Sequence, residues 1–119
     1  MAQSGDTPDE QFPKSERILK RDEYRHAYDQ GRKYKAKYFT AFVLPNKLER
    51  ARLGITATRK VGKSYKRNRA RRLIREVFRK NKWRIDQGID IVINARGIMV
   101  DTSYDEIEKD FIGFLEKSK

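Results

Sequence analysis

Cysteine is absent from this 119-residue chain and histidine occurs only once, at His26. Without a thiol there is no disulfide, no thiolate metal site and no cysteine nucleophile, and a single histidine cannot complete a structural zinc centre. No apolar run approaches the roughly 20 residues that a membrane helix needs. The opening MAQSGDTPDEQFPK also lacks the apolar stretch of a secretory signal. The expected location is therefore the cytoplasm, with no membrane partner. A protein of this length has material for one modest core and too little for two. Residues 1–14, a mixture of Gly, Ser, Pro and acids without periodicity, predict a flexible tail ahead of a single domain over residues 15–119.

Acidic residues are scarce in one region only. From Arg59 to Arg84 there are thirteen Lys and Arg residues against one acid, Glu76, so this segment carries the whole formal charge of +12. The remaining sixteen cations and sixteen acids balance. A surface made soluble by charge ordinarily mixes signs, whereas one focused sign attracts a polyanion and gains from releasing its counterions.

Hydrophobic spacing predicts the elements around that segment. Tyr24, Ala27 and Tyr28 fall at i, i+3, i+4 in a short helix from Asp22, with Gly31 expected to end it in the left-handed conformation. YFTAFVL alternates Phe39, Ala41 and Val43 against Tyr38, Thr40, Phe42 and Leu44, a strand with both faces covered that Pro45 and Asn46 stop. LGITATR sets Leu53, Ile55 and Ala57 against Gly54, Thr56 and Thr58, and the two strands are expected to pair antiparallel across residues 45–50. A long helix from Ser64 to about Lys82 carries the stripe Ala70, Leu73, Ile74, Val77 and Phe78. Phe78 and Trp83 are expected in the core or packed at the helix end. GIDIVINAR, rich in isoleucine, suits a buried central strand. Ser103 and Glu106 form a capping box for a last helix with Tyr104, Ile107, Phe111, Phe114 and Leu115 on its apolar face. The order is α-β-β(-β)-α-β-α, the optional strand lying near Tyr34. It describes an α+β fold, a single-domain α/β sandwich whose mostly antiparallel sheet includes one parallel β-α-β crossover.

On a wheel of 100° per residue, Asn68, Arg72, Arg75 and Arg79 lie opposite the apolar stripe. Stacked like charges weaken an isolated helix by a few tenths of a kcal/mol per pair, so helix stability does not explain them. A phosphate backbone does, since guanidinium forks match phosphate oxygens. Arg59, Lys60 and Lys63 surround Gly62 just ahead of this helix, whose N-terminal amides also favour anions. Three classes fit such a chain differently. A nuclease acting alone needs an acid–base pair or a carboxylate metal cluster, and Asp86, Asp90 and Asp101 are too dispersed along the sequence to supply one, while His26 reads as a surface residue. A helix-turn-helix DNA binder needs a second helix before the basic one, where this chain has a strand. A small basic ribosomal or other structural RNA-binding protein remains open.

The stretch RLGITATRKVGKSYKRNRARRLIREVFR, above all KRNRARRLIRE, resembles the signature of the bacterial ribonuclease P protein family. FPKSERILKRDEYRHAYDQGRK and DIVINARG are similar to its flanking segments, and the likeness runs from about residue 12 to 116. Tyr24 and Tyr28 stand where the family usually has phenylalanine, and Tyr65 where a small or apolar residue is common. The resemblance implies a partner protein for a catalytic RNA that removes the 5′ leader of precursor tRNA. It also implies that the protein performs no chemistry, that it binds no cofactor itself and that magnesium serves the RNA. By the same resemblance Arg67, Asn68, Arg69, Arg72 and Arg75, extended by Arg79 on the same helix, face the catalytic RNA. Tyr24, Tyr28 and Phe42 form a leader cleft edged by Arg59, Lys60, Lys63 and Arg96, and the crossover through the basic helix is left-handed.

Overall fold

The computed structural model describes residues 14–119. The expected tail lies outside the described residues apart from Lys14, which opens a 3-10 turn through Glu16. The elements are α1 (Arg21–Gln30), β1 (Arg32–Lys35), β2 (Phe39–Pro45), β3 (Arg52–Thr56), α2 (Ser64–Lys80), β4 (Ile89–Ala95) and α3 (Tyr104–Ser118), with 3-10 turns at Lys82–Arg84 and Gly97–Asp101. This is the expected order, with the optional strand present as β1.

The sheet order is β1-β2-β4-β3, so the expected hairpin of β2 with β3 does not form. β4 lies between them, antiparallel to β2 and parallel to β3. The physical reason lies in β4 itself: Ile91, Val92 and Ile93 are all fully buried, which requires a neighbour on each side and cover on each face. The loop from Asn46 to Ala51 then has to cross one strand, about 10 Å. It is pinned to the start of β4, where Asn46 N–H donates to Gly88 O and Gly88 N–H to Arg50 O. Asn46 Oδ1 accepts from Leu48 N–H at 2.8 Å, an Asx turn that sets the bend.

Strand alternation sorts the core into two layers. Phe39, Ala41, Leu53, Ile91 and Ile93 join the α2 stripe of Ala70, Ile74, Val77 and Phe78 and the Phe111 and Phe114 face of α3 in the main cluster. The opposite face carries Leu44 and Val92 beneath Ala27 of α1 and Ile18, with Tyr24 and Phe42 packed alongside. The sheet is thus sandwiched between α1 on one side and α2 with α3 on the other. Ser103 caps α3 by accepting from Glu106 N–H at 3.3 Å, a contribution of about 1 kcal/mol.

Two further expectations change. Gly31 is extended, φ −73°, not left-handed. Glycine is required there for space, because a Cβ would come within 2.4 Å of Ala27 O, the carbonyl to which Gly31 N–H donates at 2.8 Å. Trp83 is not in the core: Phe78 is buried, whereas Trp83, in the turn after α2 and four residues beyond the outward Arg79, is 76% exposed.

A half-buried ionic network centred on the buried Asp90 ties α1 to this framework. Arg52 donates through Nε and Nη2 to both oxygens of Asp90, at 2.9 and 2.7 Å, and through Nη2 to Glu23 at 3.0 Å. Asn46 Nδ2 donates to the same Asp90 at 2.8 Å. The hydrogen bonds it donates to Asp90 push the pKa of the Arg52 guanidinium well above the usual arginine range. The outcome for α1 is a fixed height over the sheet, and that height defines the cleft beside it.

Candidate nucleic-acid interface

Two surfaces emerge from this arrangement. On α2 the buried residues Ala70, Ile74, Val77 and Phe78 face the sheet, so the helical repeat turns Asn68, Arg72 and Arg75 outward, and all three are exposed. Arg69 is also exposed, although its Nε donates to Val100 O at 3.2 Å, which draws it toward the 97–101 turn. Arg67 is half-buried and donates to Ser64 Oγ at 2.9 Å. Arg79 is paired with Glu76 one turn back. Asn68 Oδ1 accepts from Arg71 Nη1 at 3.3 Å, so Asn68 orders a neighbouring guanidinium.

The second surface lies where α1 stops covering the sheet. Tyr28 reaches over the strands: its hydroxyl donates to Asn94 Oδ1 at 2.9 Å and, with its one proton so used, accepts from the Thr56 hydroxyl at 2.6 Å. Its ring meets Phe42 edge-on at 5.0 Å. Tyr24 sits deeper, its hydroxyl accepting from Ile55 N–H at 3.2 Å. Its ring lies against Gly54, where a Cβ would come within 2.9 Å of it. Burial raises the Tyr24 phenol above its ordinary value of 10.0, so it stays neutral. Tyr28 and Phe42 thus form an open aromatic pair, while Tyr24 braces α1 on β3.

Beyond Tyr28 a groove of about 710 Å³ opens over Thr56, Thr58 and Asn94, walled by Arg59, Lys60 and Arg96. The backbone beneath Arg96 is tied to the β1–β2 turn, its N–H donating to Tyr38 O at 3.0 Å. Its guanidinium donates to Lys37 O at 3.1 Å. Lys63 does not line this groove but sits exposed at the N-cap of α2, after Gly62 at φ 135°. Strand order also supplies residues that sequence reading had not singled out. The register aligns Lys35, Thr40, Asn94 and Thr56 as one cross-strand row, and the Lys33 ammonium stands 6.0 Å from the Phe42 ring. Pairing of β1 with β2 sets Lys33 and Lys35 beside Phe42 and Thr40, and the insertion of β4 adds Asn94 and Thr56; the sequence hint is the basic run RKYKAK.

The family model described as Ribonuclease P matches residues 12–119, which takes in every element of both surfaces. The chain belongs to the ribonuclease P protein family. Among curated members, the ribonuclease P protein component of Syntrophus aciditrophicus is 47% identical over 94 residues, 79% of each chain. That of Clostridium botulinum is 38% identical over 106 residues, 88% of this chain and 96% of the other. Among solved structures, the RNase P protein of Staphylococcus aureus superposes with a TM-score of 0.80 at 30% identity, covering 89% of this chain and 97% of that one. The RNase P protein from Thermotoga maritima gives 0.78 at 29% identity, over 86% and 96%. Membership in the ribonuclease P family separates the chain from the ribosomal alternative, which shared only its composition. It also accounts for the parallel crossover from β3 through α2 to β4, since the same fold recurs in these relatives. Among the described residues no helix is long and apolar enough to cross a membrane, and no three His, Asp or Glu side chains converge in a way that could hold a metal ion.

Proposed function

We propose that the chain is the protein subunit of a bacterial ribonuclease P, holding the catalytic RNA on the outer face of α2 and the single-stranded leader of precursor tRNA in the cleft beside α1. One observation carries this reading: Tyr28, edge-on to Phe42, hydrogen-bonds Thr56 and Asn94, which line a groove that Arg59, Lys60 and Arg96 also line. Stacking surfaces beside cations suit unpaired nucleotides, and the flat floor of Thr56, Thr58 and Asn94 leaves room for a ribose–phosphate chain. The groove offers hydroxyls, an amide and basic side chains, with no carboxylate or imidazole among its lining to serve as a general base. The chemistry accordingly belongs to the RNA and its magnesium ions, and the protein alone does not cleave precursor tRNA.

The test uses the reconstituted holoenzyme. Replacing Tyr28 by Ala weakens binding of precursor tRNA with a leader of several nucleotides by about 1–3 kcal/mol, the worth of one base stack, and leaves mature tRNA binding unchanged. Phe42→Ala behaves in the same way but also loses packing against the α1 cluster, so its unfolding midpoint is measured alongside. Equal losses for both RNAs at preserved stability would refute the leader cleft.

Salt provides a separate check on α2. Each neutralised phosphate contributes a slope of about −0.7 to −0.9 in log affinity against log salt, so contacts from Arg69, Arg72 and Arg75 give roughly −2 to −3 for binding of the catalytic RNA. A flat response between low and physiological salt contradicts a phosphate-dominated interface.

A further inference from the structure

Trp83 is the chain's only tryptophan, and it stands 76% exposed in the turn that follows α2. Indole is a large apolar surface that folded proteins ordinarily bury for the most part. Here it is held outward in a defined orientation. The Arg84 guanidinium lies 4.1 Å from the ring centroid, and Arg84 Nε donates to Asn81 Oδ1 at 3.1 Å. Asn81 is itself buried, its amide donating to Val77 O at 2.8 Å and to Glu108 Oε2 at 3.0 Å. One face of the ring is therefore backed by a cation anchored to the core, and its high exposure leaves the other face to solvent.

Trp83 also falls in phase with the outward face of α2. It follows Arg72, Arg75 and Arg79 at i, i+3, i+7, i+11, and helical hydrogen bonding continues to Asn81, whose N–H donates to Val77 O. The cations around it are engaged: Arg79 with Glu76, Lys82 with Glu16, and Lys80 over the Tyr104 ring at 4.9 Å. Asp86 and Glu116 line the groove beside the indole and offset the charges of Arg84 and Lys119, which line it too. Such a spot has little free positive charge for phosphate and suits a flat, uncharged partner.

We infer that Trp83, backed by Arg84, is a stacking platform for one unpaired nucleobase of the RNA that lies along α2. The inference rests on the proposed assignment of α2 to the catalytic RNA, whose path it extends by one turn beyond the arginines. A protein partner fits less well, because a stable interface covers about 800 Å² per side whereas one tryptophan supplies at most about 250 Å². Of the other exposed large apolar side chains, Leu19, Tyr28 and Ile98 belong to other elements and Tyr65 stands at the opposite end of α2. A stack is also nearly insensitive to salt, unlike the arginine contacts before it.

The full-length protein reports on its own site, because all tryptophan emission comes from Trp83. Titrating it with a bacterial ribonuclease P RNA quenches that emission and shields the indole from acrylamide. Trp83→Ala, whose circular dichroism matches the parent, binds this RNA roughly 5- to 150-fold more weakly, the loss of one stack, with an unchanged salt slope. Trp83→Phe keeps most of the affinity. A complex that forms, as seen by mobility shift, with emission and acrylamide access unaltered overturns the inference, as does full affinity in Trp83→Ala. Shielding that grows with protein concentration alone assigns the face to a second copy and overturns it too. So does shielding by precursor tRNA but not by the catalytic RNA. Absence of any complex instead removes the α2 assignment on which the inference rests.

Discussion

Reversing Arg72 and Arg75 together to Glu removes high-affinity binding of the catalytic RNA while the far-ultraviolet circular dichroism spectrum and unfolding midpoint stay those of the parent. Both side chains are exposed on α2, opposite the buried Ala70, Ile74, Val77 and Phe78, so no core contact is lost. The reversal also places acids within one turn of Arg69, Arg71 and Arg79, pairs that steady a helix by a few tenths of a kcal/mol each. At the RNA, two charge-assisted hydrogen bonds at about 1.5–3 kcal/mol apiece disappear, and repulsion from the phosphates is added. The expected loss is roughly 10²- to 10⁴-fold in affinity. A filter-binding or mobility-shift titration at moderate salt reads it directly, and unchanged affinity means that the RNA lies elsewhere. The salt slope of the variant should also be shallower by about two phosphates' worth.

Asp90→Ala produces the largest expected loss of stability, about 2–3 kcal/mol, because it removes both hydrogen bonds to Asp90 from the half-buried Arg52 guanidinium and leaves it only Glu23. Asp90 is 6% exposed and receives both Arg52 nitrogens and the Asn46 amide. Against the 5–15 kcal/mol that stabilises a typical domain, such a loss is a substantial fraction of the whole, and urea unfolding measures it as a lower midpoint. Asp90→Asn retains an acceptor for Arg52 and is milder. In a double-mutant cycle, Arg52→Met combined with Asp90→Ala costs less than the sum of the two, since no unpaired guanidinium remains. A change below about 1 kcal/mol for Asp90→Ala would show that the network contributes nothing to stability, in conflict with its burial. Because Glu23 on α1 shares the Arg52 guanidinium, the same substitution loosens α1 over the cleft. Leader-dependent binding therefore falls further than binding of mature tRNA.

Some features were legible from residue order because they depend on local periodicity. The α2 stripe, the alternation in β2 and the Ser103 cap all follow from side-chain direction along a single element, and each stands where spacing placed it. The Asp90 network was not legible. Arg52, Asp90, Glu23 and Asn46 come from four separate segments, and nothing in their spacing marks them as neighbours. Trp83 differs for another reason: its size and apolar character suggested burial, whereas its spacing of four, eight and eleven residues from Arg79, Arg75 and Arg72 continues the outward face into the turn after α2.

The sequence by itself determined that one segment, Arg59–Arg84, carries the entire net charge, that the helix within it turns arginines outward, that three apolar helix faces pack on a sheet, and that thiol chemistry is absent. Those conclusions rest on composition and on the periods 3.6 and 2, which are properties of a single strand or helix. Tertiary structure alone decided which strands are neighbours. A period of two tells which face a residue occupies but is silent about the strand beside it, and both candidate partners of β2 offered suitable alternation. Burial of Ile91, Val92 and Ile93 on both faces settled the competition in favour of β4 at the centre. That placement set Asn94 between Thr40 and Thr56, under the Tyr28 hydroxyl, and so made a groove out of residues that lie tens of positions apart.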